Sequence, residues 1–172
     1  VLPLDSAQDH KAAFDGDKGP NTGGMGAYSP ALVFTEELKQ QVIDEIMIPT
    51  VRAMAKEGRY YRGILYAGLM LTESGPKVLE FNARFGDPET QPIMMRIKND
   101  IIPIFEACID GTLATKTLQW RPESTVCVVM AAKGYPGSYQ KGKEINGLNS
   151  DDDQQTVVFH AGTKLDDGKT LT

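Results

Sequence analysis

The chain has 172 residues, a formal net charge of −5 and an apolar content of 41%, which fit one globular domain or one and a half. The acidic balance argues against a nucleic-acid-binding protein, because such proteins usually carry a basic patch. No apolar run approaches the roughly 20 residues of a membrane span, and the N-terminus lacks the pattern of a signal peptide. Two cysteines without metal-ligand spacing, Cys108 and Cys127, predict reduced thiols in a cytoplasmic protein.

Residues 1–30 are rich in glycine and proline, which predicts turns without a long regular element. Within them, the glycine-rich segment (residues 19–26) could cradle a phosphate with its backbone N–H groups, or could simply form turns. It is not a Walker A loop, because lysine and serine or threonine do not follow its last glycine. Its candidate ligand-binding residues are Pro20, Asn21, Thr22, Gly23, Gly24 and Met25.

Helical signals follow. Thr35 has the character of an N-cap residue, and apolar residues at helical spacing come after it. Pro49 should kink or end this helix, which then resumes. A further helix is predicted from Asp100 to Ile109, with Gly111 as its C-terminal stop.

A β-hairpin with a longer loop is predicted from the apolar run 63–71, the turn residues 73–76 and the alternating run 77–84. Residues two apart in a strand share a face. Glu80, Asn82 and Arg84 should therefore point one way, and the alternate residues Leu79, Phe81 and Ala83 into a core.

The polar face of this hairpin offers hard oxygen donors of the kind that Mg²⁺ prefers, beside an arginine that suits a phosphoryl group or an anionic substrate. The other interpretation is a half-exposed strand whose polar face meets water. Asp87 and Pro88 predict the cap and first position of a helix whose N-terminus faces the same region. Asp87 could act as a cap, as a substrate contact or as both.

The composition changes near Trp120, where we predict a domain boundary. Beyond it, residues 124–132 and 156–161 read as strands, residues 134–137 as a turn, and the acidic run 151–153 as a solvated loop. The fold class is α+β, with an antiparallel sheet packed on helices in residues 1–119 and a β-rich part in residues 120–172.

Several stretches together resemble the phosphoribosylamine–glycine ligase family, which has the ATP-grasp fold. These stretches are Gln8–Lys11, Gly19–Pro30, Glu80–Gln91, Val129–Ala132, Gly134–Gly137 and Phe159–Thr163. The resemblance covers nearly the whole chain, in the family's order. It implies the C-terminal half of an ATP-grasp domain, followed by a partial C-terminal domain.

The resemblance implies an ATP-dependent reaction in which the glycine carboxylate is phosphorylated and the amine of 5-phosphoribosylamine attacks the glycyl phosphate. Glu80 and Asn82 match the family's ligands for Mg²⁺ or Mn²⁺, which also bind the nucleotide. Arg84 and Asp87 match positions expected near the transferred phosphoryl group and the substrates. Residues Pro20 to Met25 match the loop expected near phosphoribosylamine.

The chain begins without methionine and lacks the family's N-terminal domain and its adenine pocket, and its C-terminal domain is short. We therefore expect a piece of a longer enzyme that is inactive by itself. Three alternatives stay open: another ATP-grasp carboxylate–amine ligase, a non-catalytic module of a larger purine enzyme, and a generic soluble α/β domain. The first would leave the stretch from Arg84 to Thr90 unexplained. The sequence does not indicate the oligomeric state.

Overall fold

The computed structural model describes residues 1–148 and 155–172, so the acidic run 151–153 lies outside the described part. No helix within those residues is long and apolar enough to cross a membrane. The architecture mixes antiparallel sheets with a few short helices, in agreement with the predicted α+β class. The elements are β1 Gln8–Phe14, β2 Lys18–Ser29, α1 Glu36–Val42, α2 Ile48–Lys56, β3 Tyr66–Thr72, β4 Gly75–Asn82, α3 Thr90–Arg96, α4 Ile102–Asp110, β5 Thr125–Val128, β6 Lys164–Asp166 and β7 Lys169–Leu171.

The first sheet has three antiparallel strands in the order β1-β2-β5. The prediction of turns throughout residues 1–30 was therefore wrong, because the glycine-rich segment lies inside the long strand β2. Pairing with both neighbours outweighs the low strand propensity of glycine. Gly26 is needed for this pairing, since a Cβ there would lie 2.7 Å from the carbonyl oxygen of Cys127.

The predicted helix after Thr35 is confirmed. The Thr35 side chain accepts a hydrogen bond from the Leu38 N–H, as expected of an N-cap. A π-helical turn, Ile43–Met47, separates α1 from α2 and ends two residues before Pro49. Proline has no N–H to donate to the preceding turn. The wider π-helical turn changes the hydrogen-bond pattern before Pro49, and the helix continues past the proline instead of ending there.

Strands β3 and β4 form the predicted hairpin, but a two-residue turn joins them instead of a longer loop. The register shifts between Gly68 and Leu69, which pair with Glu80 and Val78 respectively, so Leu79 is bulged out of the ladder. Leu79 is 64% exposed and Phe81 40% exposed, so their predicted burial was wrong. Ala83 is exposed as well, and it lies beyond the end of β4.

Arg96 joins separate parts of the fold from its position at the end of α3. Its buried guanidinium forms an ion pair with Asp5, donates to Ser29 Oγ at 3.2 Å, and lies 5.7 Å from the ring centroid of Trp120. It also donates to the carbonyl oxygens of two residues that precede β5, Arg121 and Glu123. One side chain therefore ties the N-terminal segment, β2 and the approach to β5 together.

The prediction for α4 is confirmed, with Gly111 ending the helix in the left-handed region at a φ of +76°. The strand predicted over 124–132 is present but covers only 125–128. The strand predicted over 156–161 was wrong; the small hairpin of β6 and β7 follows instead. Among residues 1–148 and 155–172, no strand pairs with Val157 to Phe159, and an extended segment needs such pairing to form a sheet.

Much apolar surface is uncovered. The accessible surface is 12,171 Å², whereas a compact monomer of this mass would expose roughly 8,300 Å². Apolar side chains on β3, β4 and β5, such as Met70, Val126 and Val128, are half or more exposed. The sheets therefore present faces that no element of the described residues covers.

Candidate active site

Glu80 and Asn82 lie side by side near the end of β4, as the alternation predicts. The Asn82 amide nitrogen donates to Glu80 Oε1 at 3.0 Å. This bond leaves the second carboxylate oxygen and the amide oxygen as further acceptors, which are hard donors suited to a divalent cation. Glu80 is exposed and Asn82 half-buried, so the pair is accessible from outside. The described residues contain no cluster of three or more histidine, cysteine or acidic side chains fit to hold a metal.

Arg84 lies beyond the end of β4, in an irregular stretch rather than in the strand. Its guanidinium is exposed and donates to the carbonyl oxygen of Phe85 at 2.8 Å. Within the described residues, no hydrogen bond or ion pair joins Arg84 to Glu80 or Asn82. Arg84 is therefore close to this pair in the sequence, but in the structure its hydrogen bond goes to its own neighbour Phe85.

Asp87 and Pro88 form a turn and do not start the helix. α3 begins at Thr90, so the prediction of Asp87 as cap and Pro88 as first helical residue was wrong. The Thr90 N–H bonds back to the Gly86 carbonyl, which closes a tight turn over residues 86–90. Asp87 instead accepts from the side-chain amide of Gln91 at 2.9 Å.

The glycine-rich segment packs directly against this turn. Gly24 is buried with a φ of +142°, and a Cβ there would lie 2.3 Å from Pro88 Cδ. The N–H of the preceding residue, Gly23, donates to the Tyr135 hydroxyl at 3.4 Å. Three stretches that are far apart in the sequence, 19–26, 86–90 and 133–138, thus meet in one place.

The candidate binding residues of the glycine-rich segment differ in their surroundings. Pro20 and Asn21 are exposed and Met25 is half-buried. Thr22 Oγ1 donates to the Lys11 carbonyl at 2.9 Å and accepts from the Gly24 N–H at 3.0 Å. Two of the N–H groups that could cradle a phosphate, those of Gly23 and Gly24, are therefore already hydrogen-bonded.

Two residues that the sequence reasoning missed, the half-buried Tyr66 and the buried Glu89, are hydrogen-bonded to each other beside the predicted site residues. Glu89 is 5% exposed, and its Oε1 accepts from the Tyr66 hydroxyl at 2.9 Å. Burial, and then the neighbouring Glu89 carboxylate, raise the pKa of Tyr66 well above its usual value. Tyr66 lies opposite Asn82 in the hairpin, and this pairing could have indicated that Tyr66 belongs to the site.

A charged pair completes the neighbourhood. Lys11 Nζ lies 3.0 Å from Asp9 Oδ2. The neighbouring Asp9 carboxylate raises the pKa of Lys11, against a smaller opposing effect of burial, and the charges of Glu89 and Glu80 add to the rise. The Lys11 ammonium group therefore lies near several carboxylates of the site.

A cavity of about 350 Å³ lies beside α4 and has an almost wholly apolar lining. It is distinct from the candidate site, because none of the predicted site residues lines it. Its walls include Leu4, Ile64, Phe85, Phe105 and Cys108.

Comparison with known proteins decides the family. Residues 1–90 match the ATP-grasp (A) domain of phosphoribosylglycinamide synthetase, and residues 125–172 match its C domain. The chain belongs to the phosphoribosylglycinamide synthetase family. The glycine-rich segment and the residues from Glu80 to Glu89 fall within the ATP-grasp match, and Tyr135 within the C-domain match.

Relatives of this synthetase family are similar over the whole chain. The chain is 54% identical to a phosphoribosylamine–glycine ligase of Halalkalibacterium halodurans over 172 residues and 56% identical to one of Pseudomonas aeruginosa over 173 residues. It covers 40% of the length of each. The crystal structure of the phosphoribosylamine–glycine ligase of Thermotoga maritima superposes with a TM-score of 0.80 at 38% identity, over 99% of this chain and 41% of that one.

Proposed function

We propose that the protein containing this chain ligates glycine to 5-phosphoribosylamine at the expense of ATP, giving glycinamide ribonucleotide, ADP and phosphate in purine synthesis. Membership of the synthetase family supports the reaction class. The observation that carries the proposal for this chain is the Glu80–Asn82 pair, which lies in the ATP-grasp match with its oxygen donors accessible.

Glu80 and Asn82 are the residues that we propose hold a divalent cation, Mg²⁺ or Mn²⁺, together with the phosphates of ATP. The chemistry of the donors fits, since a carboxylate and a carboxamide supply the hard oxygens that these ions bind. With two protein ligands, the ion would take its other ligands from phosphate oxygens and water. When bound, such an ion neutralises charge on the phosphoryl group during transfer.

Arg84 and Asp87 are proposed to contact the reacting groups. The exposed guanidinium of Arg84 can turn toward an oxyanion, to which it would donate charge-assisted hydrogen bonds. Asp87 is exposed and lies in the turn against Gly24, where its carboxylate could accept from an amine or hydroxyl of a substrate. The segment Pro20 to Met25 is proposed to bind phosphoribosylamine.

The reaction needs no nucleophilic side chain. A carboxylate oxygen of glycine attacks the γ-phosphorus of ATP and ADP leaves. The amine of phosphoribosylamine then attacks the carbonyl carbon of glycyl phosphate, phosphate leaves, and the amine loses a proton. Catalysis of this kind depends on orientation and on electrostatic stabilisation of the transferred phosphoryl group. We propose that the protein acts on small molecules in the cytoplasm. We also propose that residues 1–119 and 120–172 are two domains, which are joined where β5 pairs with β2.

The test is ADP release by the purified gene product that contains this chain, with glycine and freshly generated phosphoribosylamine omitted in turn. We expect release only when both are present, and its near-complete loss in Glu80→Ala. Glu73→Ala is the matched control, because Glu73 is an exposed glutamate in the turn of the same hairpin. Assaying the 172-residue chain alone tests the expectation that it is inactive by itself.

Each other outcome has a definite meaning. ADP release that is indifferent to phosphoribosylamine would point to a different carboxylate–amine ligase. Absence of release would favour a non-catalytic module. Equal loss in the Glu80 and Glu73 variants would refute the role of the Glu80–Asn82 pair.

A further inference from the structure

The part-buried hydrogen bond between Tyr66 and Glu89 links two parts of the candidate site that are otherwise joined by an irregular stretch of backbone. Tyr66 begins β3 and pairs with Asn82 of β4, so its backbone is fixed beside the Glu80–Asn82 pair. Its hydroxyl reaches Glu89, the last residue before α3. The stretch between the pair and this turn, residues 83–86, is irregular. The hydrogen bond therefore spans a connection that has no regular structure of its own.

The Glu89 carboxylate is packed between the Tyr66 side chain and the backbone of Gly86. Its Oε1 accepts from Tyr66, and its Oε2 lies so close to Gly86 that a Cβ there would be only 2.4 Å away. The same Cβ would lie 3.0 Å from Tyr66 Cε2. Because residue 86 is glycine, the Glu89 carboxylate and the Tyr66 ring can both pack directly against its backbone. Because Glu89 is 5% exposed and folded inward, it is poorly placed to contact a substrate itself.

We propose that Tyr66 and Glu89 are positioning residues, whose hydrogen bond sets the spacing between the Glu80–Asn82 pair and the Asp87 turn. This inference rests on the proposed function, in which those two parts hold the cation, the nucleotide and the substrate. A hydrogen bond to a buried carboxylate fixes the geometry of both partners, and its loss leaves the buried Glu89 carboxylate without this donor and the turn freer to move. Residues that orient metal ligands typically change metal affinity or activity by about 10- to 100-fold when they are replaced.

The experiment measures Mn²⁺ affinity by electron paramagnetic resonance in the presence of a non-hydrolysable ATP analogue, on the purified gene product that contains this chain. Tyr66→Phe removes only the hydroxyl, and we expect it to weaken Mn²⁺ binding about tenfold. Glu89→Ala should do the same. Glu89→Gln keeps an oxygen that can accept from Tyr66 and should stay close to the wild-type affinity.

Tyr61→Phe is the matched control, because the Tyr61 hydroxyl donates to the Ile64 carbonyl in a half-buried place outside the site. It should lower the melting temperature about as much as Tyr66→Phe while leaving Mn²⁺ affinity unchanged. In turnover assays, Tyr66→Phe should raise the cation concentration for half-maximal rate more than it lowers kcat.

Several outcomes would overturn the inference. Unchanged Mn²⁺ affinity in Tyr66→Phe, with a melting temperature lowered as in Tyr61→Phe, would make the contact purely structural. If Glu89→Gln weakens Mn²⁺ binding as much as Glu89→Ala does, the charge of Glu89 matters and not its hydrogen bond to Tyr66. If the wild-type protein binds Mn²⁺ but releases no ADP with the proposed substrates, the proposed function fails while the affinities still judge the positioning role. Absence of Mn²⁺ binding by the wild type would overturn both.

Discussion

Replacing Gly24 with alanine tests whether the contact between the glycine-rich segment and the Asp87–Pro88 turn is as tight as the structure has it. The added Cβ would lie 2.3 Å from Pro88 Cδ and 3.1 Å from Pro88 Cγ, far inside the roughly 3.5–4.0 Å of normal carbon contacts. The Pro88 ring is rigid and fully buried, so it cannot rotate away. The φ of +142° adds conformational strain for any residue with a side chain.

The loss of stability in Gly24→Ala is the sum of these two effects, steric overlap and backbone strain. Unfavourable backbone conformation costs about 1–3 kcal/mol and overpacking of a buried contact about 1–3 kcal/mol. We therefore expect the free energy of unfolding to fall by roughly 4 kcal/mol, the middle of the summed range. For a chain of this size, each kcal/mol lowers the melting temperature by about 2–4 °C. The melting temperature of Gly24→Ala should thus be lower than that of the wild type by roughly 8–16 °C.

Urea denaturation followed by circular dichroism measures the change, with Gly58→Ala as the control. Gly58 also has a positive φ, +76°, but a Cβ there would meet nothing within 4 Å. That variant should lose only about 1 kcal/mol, from backbone strain. A loss in Gly24→Ala no larger than in Gly58→Ala would refute the close packing of the two motifs.

Three further variants probe the fold and the site. Arg96→Ala should destabilise the protein by about 3–5 kcal/mol in urea denaturation, because it removes a buried guanidinium and leaves the half-buried Asp5 carboxylate and three other acceptors without their donor. Thr35→Ala should cost about 1 kcal/mol through loss of the N-cap hydrogen bond, measured in the same way. Burial, and then the charge of Asp87, raise the pKa of the Cys127 thiol. Asp87→Asn should therefore lower that pKa and speed alkylation of Cys127 at pH 8, followed by mass spectrometry.

Each of these has a matched comparison. Arg96→Lys keeps the charge but loses the planar fork that reaches several acceptors, so it should recover only part of the stability. Thr35→Ser retains a capping oxygen and should approach the wild type. Alkylation of Cys108 provides the internal reference for the Asp87→Asn experiment. An unchanged Cys127 rate would contradict the proximity of Asp87.

Local signals in the sequence were reliable where the decisive interactions are local. The Thr35 cap, the stop at Gly111 and the side-by-side placement of Glu80 and Asn82 each depend on contacts within a few residues. Prediction failed where a distant partner decides the conformation. The glycine-rich segment becomes a strand because β1 and β5 supply hydrogen bonds on its two edges.

The sequence alone determined the α+β class, most of the helices, the hairpin and the family resemblance, because these follow from periodicity, capping and contiguous motifs. Only the tertiary structure decided that Gly24 packs on Pro88, that the Gly23 N–H meets Tyr135, and that Tyr66 holds Glu89. These pairs are separated by 23 to 112 residues, and no local pattern encodes which of them meet. The spacing of the candidate site depends on chain packing, which fixes contacts that local propensity leaves open.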